Sequence, residues 1–344
     1  MVPSPALETR EDERGSVHHL TLKTTVIGAF PKISDDPGGQ HLRSALHRHD
    51  RGEIDDAVLD AAYAAATKGA IEELDAAGID VINDGHIRWD DLFAPFATAW
   101  GGVSRGPLER CYDNNTYFRQ PLIEGALTTD GKTLVADFTY ARSLAKGEVK
   151  AAICGPLTFA TLAIDKHYRS LEDRISAVTD ALVKEIEGLR EAGATLVDVE
   201  DPAIVALPQH IELAREAYTR LHRAGVPLAL QTYFFPADRV LEDLASFPVA
   251  QVGIDIRSRD TTALRRLDVF GDKVVVLGAL DARNTRLETR DELTALAEQA
   301  LKLVKPERLW LAPTTSLEFL PHDVVTKKLA VLVDAARAAG GVPA

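Results

Sequence analysis

Eight short apolar runs, each separated from the next by a longer segment, constrain the fold of this chain more than any other feature. The runs are rich in β-branched residues and cover 22–30, 79–85, 149–155, 194–200, 226–234, 250–256, 273–281 and 308–313. A nearly continuous apolar run is typical of a parallel strand that is covered on both faces. Strands that alternate with helical segments eight times favour an α/β fold of the (β/α)8 TIM-barrel type. An open doubly wound sheet is the alternative, and the lack of a Gly-x-Gly-x-x-Gly turn after the first run argues against it.

The segments between the runs carry helix signals and one long insertion. Residues 55–78 and 170–193 are amphipathic and end at a glycine, while 170–193 and 289–304 begin with the Ser/Thr-x-x-Asp/Glu pattern of a capped helix. Between the second and third runs, 87–147 is too long for a simple crossover, and 115–128 within it is typical of a hairpin or extended segment. Because long insertions after a strand commonly form a lid or one wall of the site, we expect 87–147 to be an insertion of this kind.

Composition limits the partners and the compartment. The chain has 344 residues and a formal net charge of -13, which argues against nucleic acid and anionic membranes as partners. No apolar run is long enough to span a bilayer, and a cytoplasmic protein is expected. The two cysteines, Cys111 and Cys154, cannot form a disulfide framework or a Cys-x-x-Cys metal site.

The predicted domains are a flexible, charged, Pro-containing tail over 1–20 and a single barrel over 21–344.

Polar residues follow the predicted strands at the end where a barrel enzyme has its site. Acids follow strands two, four, six and seven, two arginines accompany them, and other polar groups end strands five and eight: Asp84, His86, Glu200, Asp201, Gln231, Tyr233, Asp255, Arg257, Asp281, Arg283 and Thr315. Such a ring is suited to holding an amino acid by its ammonium group or to acid/base chemistry. The alternative is that some of these groups are ion pairs that close the barrel, such as Asp255 with Arg283. His86 is a candidate base or substrate contact, or else a structural hydrogen-bonding group.

Several motifs at these strand ends resemble one known family. They are "TTVIGAFPK" (24–32), "GIDVINDGHIRWDD" (78–91), "CGPLTFA" (154–160), "VDVEDPAI" (197–204) and "RLWLAPTTSLEFLP" (308–321). Together and in this order they resemble the cobalamin-independent methionine synthase family over nearly the whole chain. The resemblance implies a TIM barrel and transfer of a methyl group from a methylfolate to homocysteine. Much of the second half resembles the family's N-terminal barrel more closely than its catalytic, zinc-binding barrel.

The same resemblance locates the family's zinc ligands on this sequence. A histidine and a cysteine of the family fall on Tyr233 and Phe235, a glutamate falls on Asp255, and a second cysteine falls on Thr315. Only Asp255 offers a metal-binding group, and a single carboxylate cannot replace a set of thiolates and imidazole for Zn²⁺. No metal is therefore expected, and a methylfolate or a corrinoid is the methyl donor that the resemblance leaves open.

Other family positions carry over more directly. The resemblance implies that Ile27, Gly28 and Phe30 lie against the substrate amino acid and that the carboxylate of Glu200, next to Asp201, binds its ammonium group. A family glutamate after strand two is His86 here. We therefore predict a catalytic set of Asp84, His86, Glu200 and Asp255. The predicted substrate-binding set is Ile27, Gly28, Phe30, Asp201, Gln231, Tyr233, Arg257, Asp281, Arg283 and Thr315.

Three functional hypotheses follow from these residues. The first is a methionine-synthase-like methyltransferase that acts on a thiol such as homocysteine, or on a related small nucleophile, without zinc. The second is a metal-independent acid/base enzyme, of the decarboxylase or lyase type, that acts on a small carboxylate. The third is a non-catalytic subunit that binds folate or a partner protein.

Overall fold

The computed structural model describes residues 22–33, 37–112, 116–257 and 261–340. The tail predicted over 1–20 lies outside the described residues. The strands in this part of the chain are β1 (Lys23–Thr24), β2 (Val81–Ile82), β3 (Gly101–Arg110), β4 (Tyr117–Thr128), β5 (Glu148–Val149), β6 (Ala151–Cys154), β7 (Ile164–Asp165), β8 (Val197–Glu200), β9 (Leu228–Gln231), β10 (Gln251–Asp255), β11 (Val274–Leu280) and β12 (Leu309–Pro313). The α-helices are α1 (Pro37–Asp50), α2 (Asp56–Ala77), α3 (Ala94–Ala99), α4 (Val135–Leu144), α5 (Pro156–Leu162), α6 (Leu171–Glu191), α7 (Ala203–Ala206), α8 (Ile211–His222), α9 (Leu241–Ser246), α10 (Arg290–Ala300) and α11 (His322–Gly340).

The parallel strands form a curled, TIM-barrel-like sheet. Seven of them lie in the order β1-β12-β11-β10-β9-β8-β6, and β2 pairs with β5, which is separated from β6 by the single residue Lys150. Thr25 forms a parallel bridge with Val81, so that the end of β1 also meets β2. Each of the eight predicted runs therefore contains a strand, and the predicted α/β class with a parallel sheet is confirmed.

The helices begin and end largely where the sequence signals them. The side chain of Ser170 accepts a hydrogen bond from the amide of Asp173 at the start of α6, and Thr289 and Glu292 form a capping box at the start of α10. Gly78 ends α2 with a left-handed φ of 82° that an L side chain rarely adopts. Helix α10, however, ends at Ala300, four residues earlier than 304.

The crossover after β10 differs from the prediction of a helix in every crossover. Short 3-10 helices at Ala263–Arg265 and Leu267–Phe270 take the place of an α-helix there. The carboxylate of Asp238 accepts hydrogen bonds from both the amide and the hydroxyl of Thr262, each at 2.6 Å. These bonds come from another part of the chain and hold the crossover in tight turns.

Two apolar layers cover the two faces of the sheet. The outer layer lies between the strands and the helices, and the inner layer fills the barrel with Ile27, Val81, Leu196, Ala229, Tyr233, Val276, Trp310 and Ala312. Since side chains alternate along a strand, Asp198 and Glu200 of β8 also point inward. Asp198 is ion-paired with Lys150 at 2.5 Å and accepts a hydrogen bond from Gln231 at 3.1 Å. Lys150, Asp198 and Gln231 are called the polar floor below.

The segment between β2 and β5 contains a hairpin, and most of the stretch predicted as a hairpin or extended segment, 115–128, is the second strand of it. Strands β3 and β4 are antiparallel, and β4 also pairs in parallel with β7. Asp91 ties the segment together, because its carboxylate accepts hydrogen bonds from the amides of Phe93 at 2.9 Å and Arg119 at 2.9 Å. None of the helices within the described ranges has the length and apolar character that crossing a membrane requires.

Candidate active site at the C-terminal ends of the strands

A cavity lies at the C-terminal ends of the parallel strands. Its volume is about 660 Å³, including the solvent-filled space at its opening. We call it the mouth cavity. Its walls are residues at or after the ends of β1, β2, β6, β8, β9 and β12, together with residues from the hairpin: Ala29, His86, Trp89, Asp90, Asp91, Leu92, Phe93, Cys111, Thr116, Tyr117, Phe118, Thr158, Glu200, Pro202, Tyr233, Phe234, Thr315, Ser316, Glu318 and Phe319. Of the predicted site residues, the structure brings together His86, Glu200, Tyr233 and Thr315 in these walls.

A tight turn after β2 presents His86 to the mouth cavity. The side chain of Asn83 accepts a hydrogen bond from the amide of Gly85 at 3.0 Å, and Asp84 accepts one from the amide of His86 at 2.9 Å. The Asn83 amide group also donates to the carbonyl oxygen of Gly28 at 2.9 Å, which fixes the turn to the end of β1. Asp84 therefore supports the backbone of the turn and does not line the mouth cavity.

His86 is buried and uncharged in this environment. Its ring stacks on the ring of Trp89, with centroids 3.9 Å apart and planes 10° apart. Burial, together with the charges of Lys150 and Lys32, lowers the pKa of His86 to about 3. The imidazole is therefore neutral over the physiological pH range and acts as a hydrogen-bonding group, with its Nε2 3.8 Å from Oε1 of Glu200.

Glu200 lies at the bottom of the mouth cavity, two residues along β8 from Asp198 of the polar floor. The hydroxyl of Tyr233 donates to Oε2 of Glu200 at 2.9 Å. Burial, reinforced by the nearby charge of Asp198, raises the pKa of Glu200 to about 8. The carboxyl group is therefore mostly protonated at neutral pH, and a bound cation would favour its ionised form.

Three polar atoms in the walls of the mouth cavity are buried without a hydrogen-bond partner: Nε1 of Trp89, Oε1 of Glu200 and Oγ1 of Thr315. A buried polar atom that lacks a partner costs about 1–3 kcal/mol, and folded proteins keep few of them. One carboxyl oxygen and two donors left without partners in one cavity indicate a place for a polar ligand.

The backbone is also strained at the mouth cavity. Among the described non-glycine residues, those in the left-handed region are His86 at φ 48°, Tyr112 at φ 49° and Phe234 at φ 74°. His86 and Phe234 line the mouth cavity, and the ring of Phe234 lies edge-on to the ring of Tyr233 at 4.7 Å. Such strain concentrates at functional sites, where the surrounding contacts hold it.

Four charged residues predicted for substrate binding or catalysis lie outside the mouth cavity in ion pairs and turns. Asp255 is buried and ion-paired with Arg283 at 3.6 Å, as the alternative interpretation of these charges expects. The carboxylate of Asp255 also accepts from the amide of Arg257, and Asp281 accepts from the amide of Arg283 at 2.9 Å. These groups contact one another at the C-terminal ends of strands β10 and β11.

The remaining predicted residues lie beneath or behind the mouth cavity. Asp201 is fully buried and accepts hydrogen bonds from the amide and hydroxyl of Thr158, so it holds the start of α5. Ile27 belongs to the inner apolar layer, Phe30 packs edge-on against the ring of His322, and Gln231 belongs to the polar floor. Gly28 has a φ of 67° and lies so close to Ser316 that a Cβ would collide with its hydroxyl.

The prediction missed several aromatic and charged residues. Trp89 supplies the stacking face for His86, and Tyr117 and Phe319 are exposed at the mouth. Lys32 donates to the carbonyl oxygen of Trp89, and burial lowers the pKa of this lysine. The motif "DGHIRWDD" contained Trp89, but only the turn geometry brings its ring over the imidazole.

The residues at the positions that correspond to the family's zinc ligands do not fit a zinc ion. The hydroxyl of Tyr233 is hydrogen-bonded to a carboxyl group, and the ring of Phe235 packs edge-on against a tyrosine ring 5.5 Å away. Asp255 is ion-paired, and Thr315 offers only a hydroxyl. Zn²⁺ in proteins takes thiolate, imidazole and carboxylate ligands, usually four. In the described part of the chain, no three His, Cys, Asp or Glu side chains are grouped to hold a metal ion.

Comparisons with known proteins agree with this fold. The methionine synthase of Sulfurisphaera tokodaii is 28% identical over 315 residues, which cover 91% of this chain and 90% of that protein. The methionine synthase of Saccharolobus solfataricus is 26% identical over 317 residues, 91% of this chain and 93% of that protein. A B12-independent methionine synthase from Shewanella sp. W3-18-1, solved in complex with selenomethionine, superposes with a TM-score of 0.80 at 19% identity over 92% of this chain and 97% of that one. A methyltransferase from Methanosarcina mazei superposes with a TM-score of 0.61 at 14% identity, over 92% and 94% of the two chains.

A family model matches nearly the whole described barrel. The model of the cobalamin-independent synthase catalytic domain covers residues 22–338, including the second half that we compared with the family's N-terminal barrel. The chain therefore belongs to the family of cobalamin-independent synthase catalytic domains.

Proposed function

We propose that this protein is a methyltransferase that binds an amino acid with a thiol side chain, such as homocysteine, or a related small nucleophile, in the mouth cavity. The observation that carries the proposal is the set of three buried atoms without partners: Oε1 of Glu200, Nε1 of Trp89 and Oγ1 of Thr315. An amino acid has the complementary groups, because its ammonium donates hydrogen bonds and its carboxylate accepts them. Family membership, and a related fold solved with selenomethionine, support an amino-acid substrate.

The proposed contacts follow from the chemistry of each group. The ammonium group of the substrate would bind Glu200 in its ionised form, with Tyr233 donating to the other carboxyl oxygen and keeping it in place. The substrate carboxylate would accept hydrogen bonds from Trp89 and Thr315. His86, being neutral, would accept or donate a hydrogen bond without adding charge. The other residues of the predicted substrate-binding set would not contact the substrate directly. They would hold the walls of the mouth cavity in place, and they include Ile27, Gly28, Phe30 and the ion pairs of strands β10 and β11.

We propose that the chain works without the family zinc site. A free thiol has a pKa of about 8.5, so that a few per cent is thiolate at neutral pH, and another positive group must take over the stabilisation of the thiolate. A methylfolate or a corrinoid is the donor that family membership suggests. We also propose that residues 21–344 form one closed (β/α)8 barrel, in which residues 87–147 are an insertion that covers the mouth cavity.

Calorimetric titration with homocysteine tests the binding contacts. Glu200→Gln keeps the shape and removes the charge, so we expect its affinity to fall about 100-fold, as for loss of a charged partner. The wild-type affinity should rise about tenfold per pH unit below the pKa of Glu200, about 8, because only the ionised form pairs with ammonium. Glu298→Gln makes the same change on the exposed face of α10 and should bind normally. Equal affinities of Glu200→Gln and wild type would contradict the proposal.

A second candidate function rests on the protonation state of Glu200. A carboxyl group with a pKa of about 8 can donate a proton at neutral pH, which suits an acid/base enzyme acting on a small carboxylate. This function predicts turnover of a carboxylate substrate that falls as pH rises through 8 and needs no methyl donor. Methyl transfer, in contrast, requires a methyl donor. An assay of turnover with and without a donor therefore separates the two functions.

A further inference from the structure

Lys32, in the loop after β1, is a cation beside the mouth cavity that has no close counterion. Its ammonium group donates a hydrogen bond to the carbonyl oxygen of Trp89, a residue of the cavity wall. Among the residues that the structure describes, no carboxylate lies close enough to this ammonium group to form an ion pair with it. An ammonium group has three hydrogen-bond donors, and the carbonyl of Trp89 uses only one of them.

Two other positive groups near the mouth cavity are already neutralised. Arg105 is ion-paired with Asp90 at 2.8 Å, and Lys150 is ion-paired with Asp198 at 2.5 Å in the polar floor. A pair of opposite charges at this distance has a weak field outside itself, because the two contributions largely cancel. Compared with these two groups, Lys32 therefore has more of its charge available to an anion that enters the mouth cavity.

The electric field of Lys32 extends into the mouth cavity. Its charge helps to lower the pKa of His86, whose ring lines the cavity. The charged groups that act on Lys32 in turn come from three elements: Glu318 after β12, Asp90 and Asp91 after β2, and Arg105 in β3. Burial lowers the pKa of Lys32, the three carboxylates act against burial, and the arginine acts with it. An anion in the cavity would therefore favour the charged form of this lysine, as the carboxylates do.

The three carboxylates cancel the charge of Lys32 only in part. Asp90 is paired with an arginine, and Asp91 accepts hydrogen bonds from three backbone amides. Glu318 is the acid whose charge acts most strongly on Lys32, and burial raises the pKa of this carboxyl group. Its negative charge is therefore the one most easily lost when a second anion binds nearby.

From this placement we infer that Lys32 is the positive group that stabilises the thiolate of the amino acid bound in the mouth cavity. This inference rests on the proposed function, since it concerns the same substrate and the same methyl transfer. Lys32 stands behind the cavity wall and would act through its electric field, which favours the thiolate over the thiol. The step needs no further reagent: the S–H bond breaks, its electron pair stays on sulfur, and the proton leaves to water at the open mouth. Lys32 keeps its own proton throughout.

Titration of the bound thiol tests the role of Lys32. Homocysteine is bound to the protein, and the ultraviolet absorbance of its thiolate is followed between about pH 6 and pH 10, with the protein alone subtracted. We expect Lys32→Met to raise the pH of half-ionisation by about one unit, so that the thiolate fraction at neutral pH falls about tenfold. Lys32→Arg keeps the charge and should restore most of the shift. Lys302→Met removes an exposed lysine after α10 and should behave as the wild type.

Calorimetric binding of methionine separates an electrostatic role of Lys32 from a structural one. Methionine has no thiol to ionise, so we expect the wild type and Lys32→Met to bind it equally. An unchanged pH of half-ionisation in Lys32→Met, or a loss of methionine binding in that variant, overturns the inference. The proposed function still stands in either case if the wild type binds homocysteine and Glu200→Gln does not. A wild type that binds no homocysteine overturns the proposed function and, with it, the role of Lys32.

Discussion

Two buried polar regions lie one above the other in the barrel, and they are built in opposite ways. In the polar floor, the charge of Lys150 is paired with Asp198 at 2.5 Å. Two residues further along β8, Glu200 keeps one oxygen without a partner and has a pKa raised to about 8. Burial is similar in both regions, and Gln231 of the polar floor also keeps its Oε1 without a hydrogen-bond partner, so the difference lies in the ion pairing of the carboxyl group: Asp198 is paired with a lysine, whereas Glu200 is hydrogen-bonded only to a tyrosine hydroxyl. The lower region stabilises the fold, whereas the upper region has binding capacity that the protein itself does not use.

The largest effect is expected from breaking the pair in the polar floor. Lys150→Met leaves the buried carboxylate of Asp198 without its counter-charge, and removing one partner of a buried pair costs about 3–5 kcal/mol. We expect the free energy of unfolding, measured with urea at pH 7, to fall by that amount. The double change Lys150→Met with Asp198→Asn should recover part of it, because no charge is then buried. A loss below about 1 kcal/mol would show that the pair is not needed.

Removing the charge of Glu200 in the upper region should, in contrast, stabilise the folded protein. In the unfolded chain the carboxyl of Glu200 ionises near its ordinary pKa of 4.5, whereas in the fold it does so at about 8. Between these values the unfolded state holds fewer protons, so that the free energy of unfolding of the wild type falls as pH rises. Glu200→Gln cannot ionise, and its stability relative to wild type should therefore increase from pH 5 to pH 8. The increase should reach a few kcal/mol, since each pH unit between the two pKa values contributes about 1.4 kcal/mol.

Urea unfolding of both proteins at pH 5, 6.5 and 8 measures this difference. A variant that is less stable than the wild type at pH 8 would mean that Glu200 supports the fold, and the contrast between the two regions would fail. A variant that is more stable but binds no homocysteine is the combination expected of a functional group whose burial destabilises the folded state.

The fold could be predicted from the sequence because its signals are local. Apolar runs give strands, and the serine and threonine caps of α6 and α10 give helix starts whatever lies around them. The 3-10 crossover after β10 could not be predicted, because it depends on hydrogen bonds to Asp238 from a different part of the chain. The sequence of this crossover is equally consistent with an α-helix, so the sequence alone does not distinguish the two.

The candidate site could be predicted only in part, for a similar reason. His86, Glu200, Tyr233 and Thr315 were found because a strand end has a fixed place in a barrel. Asp201, which was predicted to bind substrate, is instead buried behind the mouth cavity and accepts hydrogen bonds from Thr158, because side chains alternate along β8 and Glu200 is the one that faces inward. Trp89 was missed, because the left-handed turn that brings it over the imidazole depends on side-chain hydrogen bonds after β2.

Two tryptophans allow a smaller and sharper test of the same contrast. Nε1 of Trp100 donates to the buried carboxylate of Glu185 at 2.8 Å, whereas Nε1 of Trp89 is buried without a partner. Trp100→Phe should reduce the free energy of unfolding by about 1–3 kcal/mol and leave homocysteine affinity unchanged. Trp89→Phe should leave stability nearly unchanged and weaken binding about tenfold, the loss of one hydrogen bond to a carboxylate. Similar stability losses in the two variants would mean that the Trp89 indole is structural.

The smallest effect concerns the strained backbone of Phe234, which has a φ of 74°. Left-handed backbone costs an L residue about 1–2 kcal/mol more than it costs glycine. Phe234→Ala and Phe234→Gly both remove the ring, and they differ mainly in this strain. We therefore expect the glycine variant to be the more stable by about 1 kcal/mol in urea unfolding, a comparison in which the shared loss of packing cancels. If alanine were the more stable of the two, the backbone at this position would not hold the left-handed conformation in solution, and the ring would have no fixed place in the wall of the mouth cavity.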